Sequence, residues 1–407
     1  MTENAKHLVV MFHNIGGYHA ARLRATQVAG QRSNWRLTAV EVTSGTNEHP
    51  WGDLTKEITF PVRTLFPTGE TTSNNRDTGK SVAKRLLAAL DELRPNAVAI
   101  PGWGFPESRA ALSWCRRHQA MALLMSESKR DDETRRWWKE LVKSRLYVRR
   151  FDAALVGGEL HRSYLIKLGF PEERIFLGYD VVDNDYFQTK AESARQNAEE
   201  TRHREPRIPE RPFFLAATRL IARKNVARLV EAFSNYRLEV GIEEAWDLVV
   251  CGSGVEESAI RQLIKEKKLN GHVHLPGFTS YQEIGDWYGL AGAFVHPAWQ
   301  EQWGLVINEA CAAGLPILSS HSVGAAHEIV REGKNGFLFD PHSTPDITQA
   351  LVNLHRMDAQ SRAQMGLASR DIIEQHAPQR FGDALMNGLK AASVKESQRV
   401  SFDLARS

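Results

Sequence analysis

The chain has 407 residues, of which 42% are hydrophobic and 25% charged, a composition that is typical of globular proteins and argues against a disordered or fibrous chain. Its 52 basic and 49 acidic residues give a net charge of +3, which offers no global reason to expect nucleic-acid binding. At about 150 residues per domain, the length predicts two domains, or three.

Two further features bear on the compartment. No apolar run approaches the ~20 residues that span a bilayer, and Leu8–Phe12 is too short for the core of a signal peptide. The cysteines Cys115, Cys251 and Cys311 lie far apart and form neither a disulfide framework nor a metal-spaced set. This usage fits a reducing compartment, so we expect a cytoplasmic protein.

In the first half, short apolar runs that end in glycine or small polar residues alternate with amphipathic stretches. The runs are Leu8–Phe12, Ala97–Ile100, Ala122–Met125 and Ala153–Val156. Strands that alternate with helices in this way predict a parallel α/β sheet. We therefore predict an N-terminal Rossmann-like domain over residues 1–187.

Residues 188–212 are mostly charged and polar, and the sequence predicts a linker there. The same alternation then restarts with strands at Phe213–Ala217, Leu248–Cys251, Ala293–Val295 and Ile317–Ser320. It predicts a second Rossmann-like domain over 213–377. Residues 378–407 read as a C-terminal helix that packs back across the domains. In doubly wound sheets ligands bind at the carboxyl ends of the strands, and here we expect a cleft between the domains.

The chemistry is concentrated in residues 296–316, which leave a strand, turn, and enter a short helix near Gly304. Glu301 lies in the loop before this helix, and Glu309 lies inside it. The free N–H groups of Gly304, Leu305 and Val306 would form an anion site at the helix N-terminus.

A second segment follows the strand Phe213–Ala217. Arg219 can clamp phosphate oxygens with its planar fork, and Lys224 adds a compact positive charge. Two cations and a helix N-terminus can stabilise a diphosphate leaving group without a metal ion.

Together these segments resemble the retaining glycosyltransferases of family four, which have the GT-B fold of two Rossmann-like, doubly wound parallel-sheet domains facing a central cleft. The resemblance covers nearly the whole second half. It is carried by the Glu-x7-Glu pair Glu301/Glu309 and by further motifs in order: Arg219–Lys224, Cys251–Gly254, Leu275–Phe278, Gly314–Pro316, Val323–Glu328 and Lys334–Phe339.

The resemblance implies that the N-terminal domain binds the acceptor, that the second domain binds the donor, and that each matching residue has a role. Arg219 and Lys224 would contact the diphosphate of a nucleotide sugar, together with the amides of residues 304–306. Glu309 would bind the ribose hydroxyls, and Glu301 would bind the sugar hydroxyls and orient the donor. The remaining implied donor-binding residues are Gly16, Gly17, Gly252, Gly254, Gly277, Phe278 and Trp303, the last of which replaces the usual phenylalanine. No cofactor and no metal are expected, because the nucleotide sugar is a co-substrate.

The implied activity is transfer of a sugar from a UDP- or GDP-sugar to a hydroxyl of a saccharide, lipid-linked or small-molecule acceptor, with retention. In the usual account the leaving phosphate acts as the base on the front face. The products would belong to polysaccharide or natural-product glycans. Two alternatives are a nucleotide-sugar epimerase on the same fold and a non-catalytic protein that binds nucleotide sugars.

The acceptor side is less defined. Many relatives place a histidine after the strand that corresponds to Ala122–Met125, whereas this chain has Glu127 and Ser128 there. Trp103 and His19 are the other candidate acceptor-binding residues. Likewise, the usual Asn-Gly-Val-Asp is replaced by residues 180–183, Asp-Val-Val-Asp.

Three other features favour ordinary structural roles. Asp183-Asn-Asp185 imitates a metal-binding Asp-x-Asp, but no metal-binding set surrounds it. His161 and His296 favour packing or hydrogen bonding. Residues 135–150 are basic with interleaved aromatic residues, which would suit peripheral contact with the inner face of a membrane. For that stretch we favour a solvated helix with Trp137, Leu141 and Val148 buried.

Overall fold

The computed structural model describes residues 5–44, 57–67, 77–132 and 135–404, with the backbone alone for residues 77–78 and 395–404. These residues form two compact units. Unit 1 extends to Val182 and resumes at Pro378, and unit 2 spans Asp183–Ala377.

Unit 1 is built on a seven-stranded parallel sheet. In chain order its strands are β1 (Lys6–Phe12), β2 (Trp35–Thr43), β3 (Val62–Phe66), β4 (Ala97–Pro101), β5 (Met121–Ser126), β6 (Ala153–Val156) and β7 (Ile175–Leu177). The spatial order is β3-β2-β1-β4-β5-β6-β7, so the winding direction reverses between β1 and β4. The central strands are continuous apolar runs because helices cover both faces of the sheet.

The helices of unit 1 divide between the two faces. They are α1 (Gly17–Arg32), α2 (Asp77–Leu93), α3 (Pro106–His118), α4 (Trp137–Leu146), α5 (Glu159–Lys167) and the C-terminal helix, α15 (Pro378–Leu404). One apolar core contains residues of α2, α3 and α5, and the other contains residues of α1 and α15.

Unit 2 repeats this plan with six parallel strands in the order β10-β9-β8-β11-β12-β13. The strands are β8 (Phe213–Ala217), β9 (Asp247–Cys251), β10 (Val273–Gly277), β11 (Ala293–His296), β12 (Ile317–Ser320) and β13 (Gly336–Phe339). The helices are α6 (Asn184–Gln196), α7 (Ala198–Arg204), α8 (Val226–Val240), α9 (Glu257–Glu266), α10 (Ile284–Leu290), α11 (Leu305–Ala312), α12 (Gly324–Ile329), α13 (Thr344–Arg356) and α14 (Ala359–Glu374). Here the winding reverses between β8 and β11. Both units therefore confirm the predicted doubly wound parallel α/β class.

The linker predicted at 188–212 is wrong for most of its length. Helices α6 and α7 occupy residues 184–204, within unit 2. The packing depends on small residues: a Cβ at Gly289 of α10 would lie 2.5 Å from the Cβ of Ala194 and 2.7 Å from the carbonyl oxygen of Ala191. A pattern of alanines against glycines carries little hydrophobic signal, and the charged outer face of these helices conceals it.

Two other segments singled out in the sequence, Asp183–Asp185 and the C-terminal helix, have structural roles. Asp183 caps α6, since its Oδ1 accepts a hydrogen bond from the amide of Tyr186 at 3.1 Å. The expected helix α15 exists and belongs to unit 1, where Phe381, Leu385 and Leu389 are buried in the core that contains α1.

The favoured interpretation of residues 135–150 is wrong in part. Val148 is buried as expected, but Trp137 is 79% exposed and Leu141 is 43% exposed. The apolar side chains of α4 therefore face away from the core of unit 1. In the described part of the chain, no helix combines the length and apolar character needed to cross a membrane.

Candidate active site

The helix predicted near Gly304 begins where expected. Gly304 is the N-cap of α11 with φ +98°, a left-handed conformation that favours glycine. It also fits closely: an added Cβ would lie 3.0 Å from Val323 and 3.3 Å from Glu301. Gly304, Leu305 and Val306 are partly exposed, and amides in the first turn of a helix have no acceptor within that helix. The helix start therefore presents N–H groups and a positive dipole end to the adjoining loop.

Charged side chains surround the carboxylate of Glu301, directly before this helix. The Nζ of Lys224 forms an ion pair with Glu301 Oε2, and Arg223 Nη1 lies 3.9 Å from Oε1. His296, at the end of β11, places its Nε2 3.5 Å from Oε2. Glu301, Lys224 and His296 are all largely buried. The structure thus brings together two residues that the sequence predicted separately, and adds His296, for which the sequence favoured packing or hydrogen bonding.

Hydrogen bonds to main-chain carbonyls connect the turn that carries Lys224 with the loop that carries Glu301. Asn225, directly before α8, uses its side-chain amide to donate to the carbonyls of Pro297 and Pro341, at 3.1 and 2.7 Å. The amide of Trp299 donates to the carbonyl of Arg223 at 3.1 Å. These bonds fix the turn that carries Lys224 against the loop that carries Glu301.

The electrostatics of this cluster follow from burial and pairing. Burial alone would raise the pKa of Glu301, but the contact with His296 and the charge of Lys224 outweigh burial and lower the pKa well below its usual range. Burial lowers the pKa of Lys224, with Glu301 acting in the opposite direction. Burial likewise lowers the pKa of His296, which favours its neutral ring. The site therefore holds a firmly ionised carboxylate beside a concentrated positive charge.

The cluster occupies a specific position in the topology of unit 2. Lys224 follows β8 and Glu301 follows β11, the two adjacent strands between which the winding reverses. Ligands of doubly wound sheets bind outside the carboxyl ends of the strands at this point. Arg219 also follows β8 and is exposed, and its charge contributes to lowering the pKa of Lys224.

The predicted glycine turn after β9 packs directly on the Arg219 loop. An added Cβ at Gly252 would lie 1.8 Å from the carbonyl oxygen of Thr218, and one at Gly254 would lie 2.3 Å from that of Leu220. Two backbone hydrogen bonds of 2.9 Å join the same segments. These glycines therefore hold the loop of Arg219 in place. Beside them Gly277 ends β10, and Phe278 is 50% exposed.

Two predicted donor-binding residues lie deeper than expected. Trp303 is only 2% exposed and its indole N–H donates to Asn308 Oδ1 at 2.9 Å, so it packs at the start of α11, and its donor contact stays a prediction. Glu309 is 2% exposed and accepts a hydrogen bond from the hydroxyl of Tyr288 at 2.8 Å. Its contact with ribose stays a prediction.

Part of the chain is similar to known glycosyltransferases. Residues 197–371 match the family model of glycosyl transferases group 1. Sucrose-phosphate synthase 4 of Arabidopsis thaliana is 35% identical over 159 residues, which is 36% of this chain and 15% of that protein. The chain thus spans a small part of the length of the curated relatives that it matches.

Solved structures resemble the chain over almost its whole length. A glycosyltransferase from Rickettsia africae aligns with a TM-score of 0.72 at 15% identity, covering 96% of this chain and 98% of that one. Anabaena HepE in complex with UDP aligns with a TM-score of 0.68 at 16% identity, covering 96% and 100%. The fold of two Rossmann-like domains is therefore that of GT-B glycosyltransferases. The family match and this fold together support a glycosyltransferase.

In unit 1, the predicted residues that follow β1, β4 and β5 have local partners. The ring of His19 accepts a hydrogen bond from the amide of Gly16 at 3.1 Å and packs on Phe12, so it caps α1, which begins at Gly17. Trp103, after β4, is partly buried under the ammonium of Lys143. The amide of Ser128 donates to Ser126 Oγ at 3.2 Å.

Glu127 is half-buried and interacts electrostatically with Asp180 of the same unit. Asp180 is itself fully buried, and Arg22 Nη2 lies 3.8 Å from its Oδ1. Burial, followed by the charge of Glu127, raises the pKa of Asp180 well above its usual range. In the sequence, the only sign that Asp180 is unusual is that it replaces the asparagine of the family motif. No sequence pattern pointed to Arg22.

The three cysteines are buried and free. Burial raises the pKa of each thiol to about 12, which keeps them protonated and unsuited to nucleophilic chemistry.

Proposed function

We propose that the chain is a retaining glycosyltransferase of family four that transfers a sugar from a UDP- or GDP-sugar to an acceptor hydroxyl. The observation that carries the proposal is the cluster of Lys224, Glu301 and His296 at the start of α11, located at the reversal point of unit 2. This cluster lies inside the segment that matches the family model.

The donor's diphosphate fits the positive groups of the site. Lys224 and Arg219 contact its oxygens, and the amides of residues 304–306 bind the phosphate at the helix N-terminus. As the diphosphate binds, it replaces Glu301 as the partner of Lys224. The freed carboxylate, held firmly ionised, then accepts hydrogen bonds from the sugar hydroxyls. Glu309 binds the ribose.

In the proposed reaction the bond from the anomeric carbon to the phosphate oxygen breaks, and the acceptor oxygen bonds to that carbon on the same face. The acceptor's proton passes to the departing phosphate. The leaving diphosphate gains negative charge, which the two cations and the helix dipole stabilise. Because these groups supply positive charge to the phosphates, we expect turnover without a divalent metal.

Acceptor binding is assigned to unit 1, with Trp103, Glu127 and Ser128 as its candidate residues. Gly16 and Gly17 begin α1 at the reversal point of that unit, where their backbone suits a phosphate contact. The donor base, the sugar and the acceptor class stay open. Sucrose-phosphate synthase relatives and the UDP complex of HepE make UDP-sugars the first donors to test.

The test begins with thermal unfolding of the protein in a panel of UDP- and GDP-sugars, since a ligand that binds the folded state raises the unfolding temperature. Release of nucleoside diphosphate from the best donor is then measured in Arg219→Met. Arg219 is exposed, so this variant should fold, and we expect turnover to fall by about 10²-fold because one leaving-group contact is lost.

The matched control is Arg261→Met in the same unit, whose guanidinium pairs on the surface with Glu257 at 2.8 Å. It should retain full turnover. NMR of the product reports the anomeric configuration, and inversion would refute retention. An epimerised donor formed without an acceptor would favour the epimerase, and tight donor binding without turnover would favour a non-catalytic binding protein.

A further inference from the structure

Helix α4 exposes a broad apolar surface. Its five large apolar side chains are all 43–79% exposed: Trp137, Trp138, Leu141, Val142 and Leu146. At 100° per residue they cover about half of the helix circumference. We call these five residues the α4 apolar face. Contiguous exposed apolar surface with two tryptophans is uncommon on a protein that has no partner for it.

The opposite side of the helix is polar and attaches it to unit 1. The hydroxyl of Ser144 donates to the carbonyl of Leu168. Lys143 donates to Glu140 Oε1 at 2.8 Å, and the hydroxyl of Tyr164 donates to Glu140 Oε2. The orientation of α4 is thus the inverse of an ordinary surface helix, whose apolar face packs on the core. Polar contacts orient the helix so that its apolar face points outward.

Positive charge surrounds this face. Residues 135–150 contain seven arginines and lysines but one acidic residue, Glu140, which is already paired on the inner side. Five of the basic residues are exposed: Arg136, Lys139, Arg145, Arg149 and Arg150. Arg145 lies within the apolar face itself, between Leu141 and Val142 around the helix.

We propose that the α4 apolar face and these five cations bind an anionic lipid surface. Tryptophan and leucine side chains suit the boundary between headgroups and acyl chains, while arginine and lysine attract anionic headgroups. A second copy of the chain fits poorly, because a two-fold contact would place like charges against each other. A core of a protein interface is depleted of charge, whereas here arginine is interleaved with the apolar residues.

The test is sedimentation of the full-length protein with vesicles of phosphatidylcholine alone or with 30 mol% phosphatidylglycerol, by design about one anionic lipid in three. We expect binding to the anionic vesicles, weakening as salt rises from 0.15 to 0.5 M because of screening. Trp137→Ala/Leu141→Ala should weaken it at least tenfold. Lys139→Glu/Arg145→Glu should abolish the preference for anionic lipid.

The control is Leu238→Ala/Val255→Ala, which removes two apolar side chains of unit 2 that are 72% and 90% exposed. It should bind vesicles as the unchanged protein does. All altered residues are exposed, and circular dichroism checks folding. Failure of the unchanged protein to bind anionic vesicles, or equal binding by Trp137→Ala/Leu141→Ala, would overturn the proposal. So would light scattering that shows an oligomer which this variant dissociates, because the face would then be occupied by a second copy. None of these readouts depends on the proposed function.

Discussion

Lys224 and Glu301 each expose only 12% of their side chain, so the pair is energetically sensitive. Lys224→Met would leave Glu301 buried beside Arg223 and a neutral histidine, and we expect it to cost about 3–5 kcal/mol of unfolding free energy. Adding Glu301→Gln should restore most of that loss, because no buried charge then lacks a partner. Urea unfolding of the single and double variants measures this.

The control for the Lys224 and Glu301 variants is Arg204→Met, which removes a surface partner of Asp286. It should lower the free energy of unfolding by about 1 kcal/mol or less. Additive losses for Lys224→Met and Glu301→Gln would show that the two side chains do not interact in solution.

Asp180 provides a pH test. A carboxyl whose folded pKa is raised stabilises the fold fully below its ordinary pKa and loses that contribution as pH rises towards the folded pKa. The amide of Asp180→Asn cannot ionise, so we expect this variant to lose less stability than the unchanged protein between pH 5 and pH 9. Chemical unfolding across that range measures the difference. Glu92→Gln, which alters a surface carboxylate paired with Arg63, should follow the unchanged protein. Parallel curves for Asp180→Asn would mean that Asp180 is already ionised.

At the scale of elements, the loop after β9 supports the loop that carries Arg219 through close backbone contact. In Gly254→Ala the new Cβ would lie 2.3 Å from a carbonyl oxygen, so we expect a loss of about 1–3 kcal/mol of unfolding free energy. Gly104→Ala is the control, because its Cβ would have no described atom within 4 Å. If calorimetry gives both variants the same unfolding temperature, the two loops do not pack as described.

The sequence predicted the central strands well and the outer ones poorly. The strands at the four sheet edges, β3, β7, β10 and β13, are three to five residues long and carry partly exposed positions, so their apolar runs are short or interrupted. In β2 the run is interrupted by Glu41, which is buried because Ile15 and Thr64 donate hydrogen bonds to it. Such partners come from distant segments and leave no local pattern.

The candidate site, too, was predictable from the sequence only in part. The start of α11 at Gly304 and the charges of Lys224 and Glu301 were predictable, because a strand, a turn and a helix in sequence fix their position. The burial of Trp303 and the contact of His296 with Glu301 were not, because both depend on tertiary packing.

At the scale of the whole molecule, the chain crosses from unit 1 to unit 2 and returns for α15. Phe381 of α15 is fully buried against the core that contains α1, so Phe381→Ala should cost unit 1 about 3–5 kcal/mol. A nucleoside diphosphate should stabilise unit 2 by mass action. Differential scanning calorimetry should therefore show the substitution and the ligand acting on different transitions. One transition that both shift equally would show that the units unfold as a single cooperative body.

The proposed function depends above all on where the donor's phosphates bind. The most direct measurement is a crystal structure of the protein with UDP. We expect the diphosphate on the amides of residues 304–306 and on the side chains of Arg219 and Lys224, with Glu301 released from its ion pair. A diphosphate held elsewhere, with Lys224 still paired to Glu301, would contradict it.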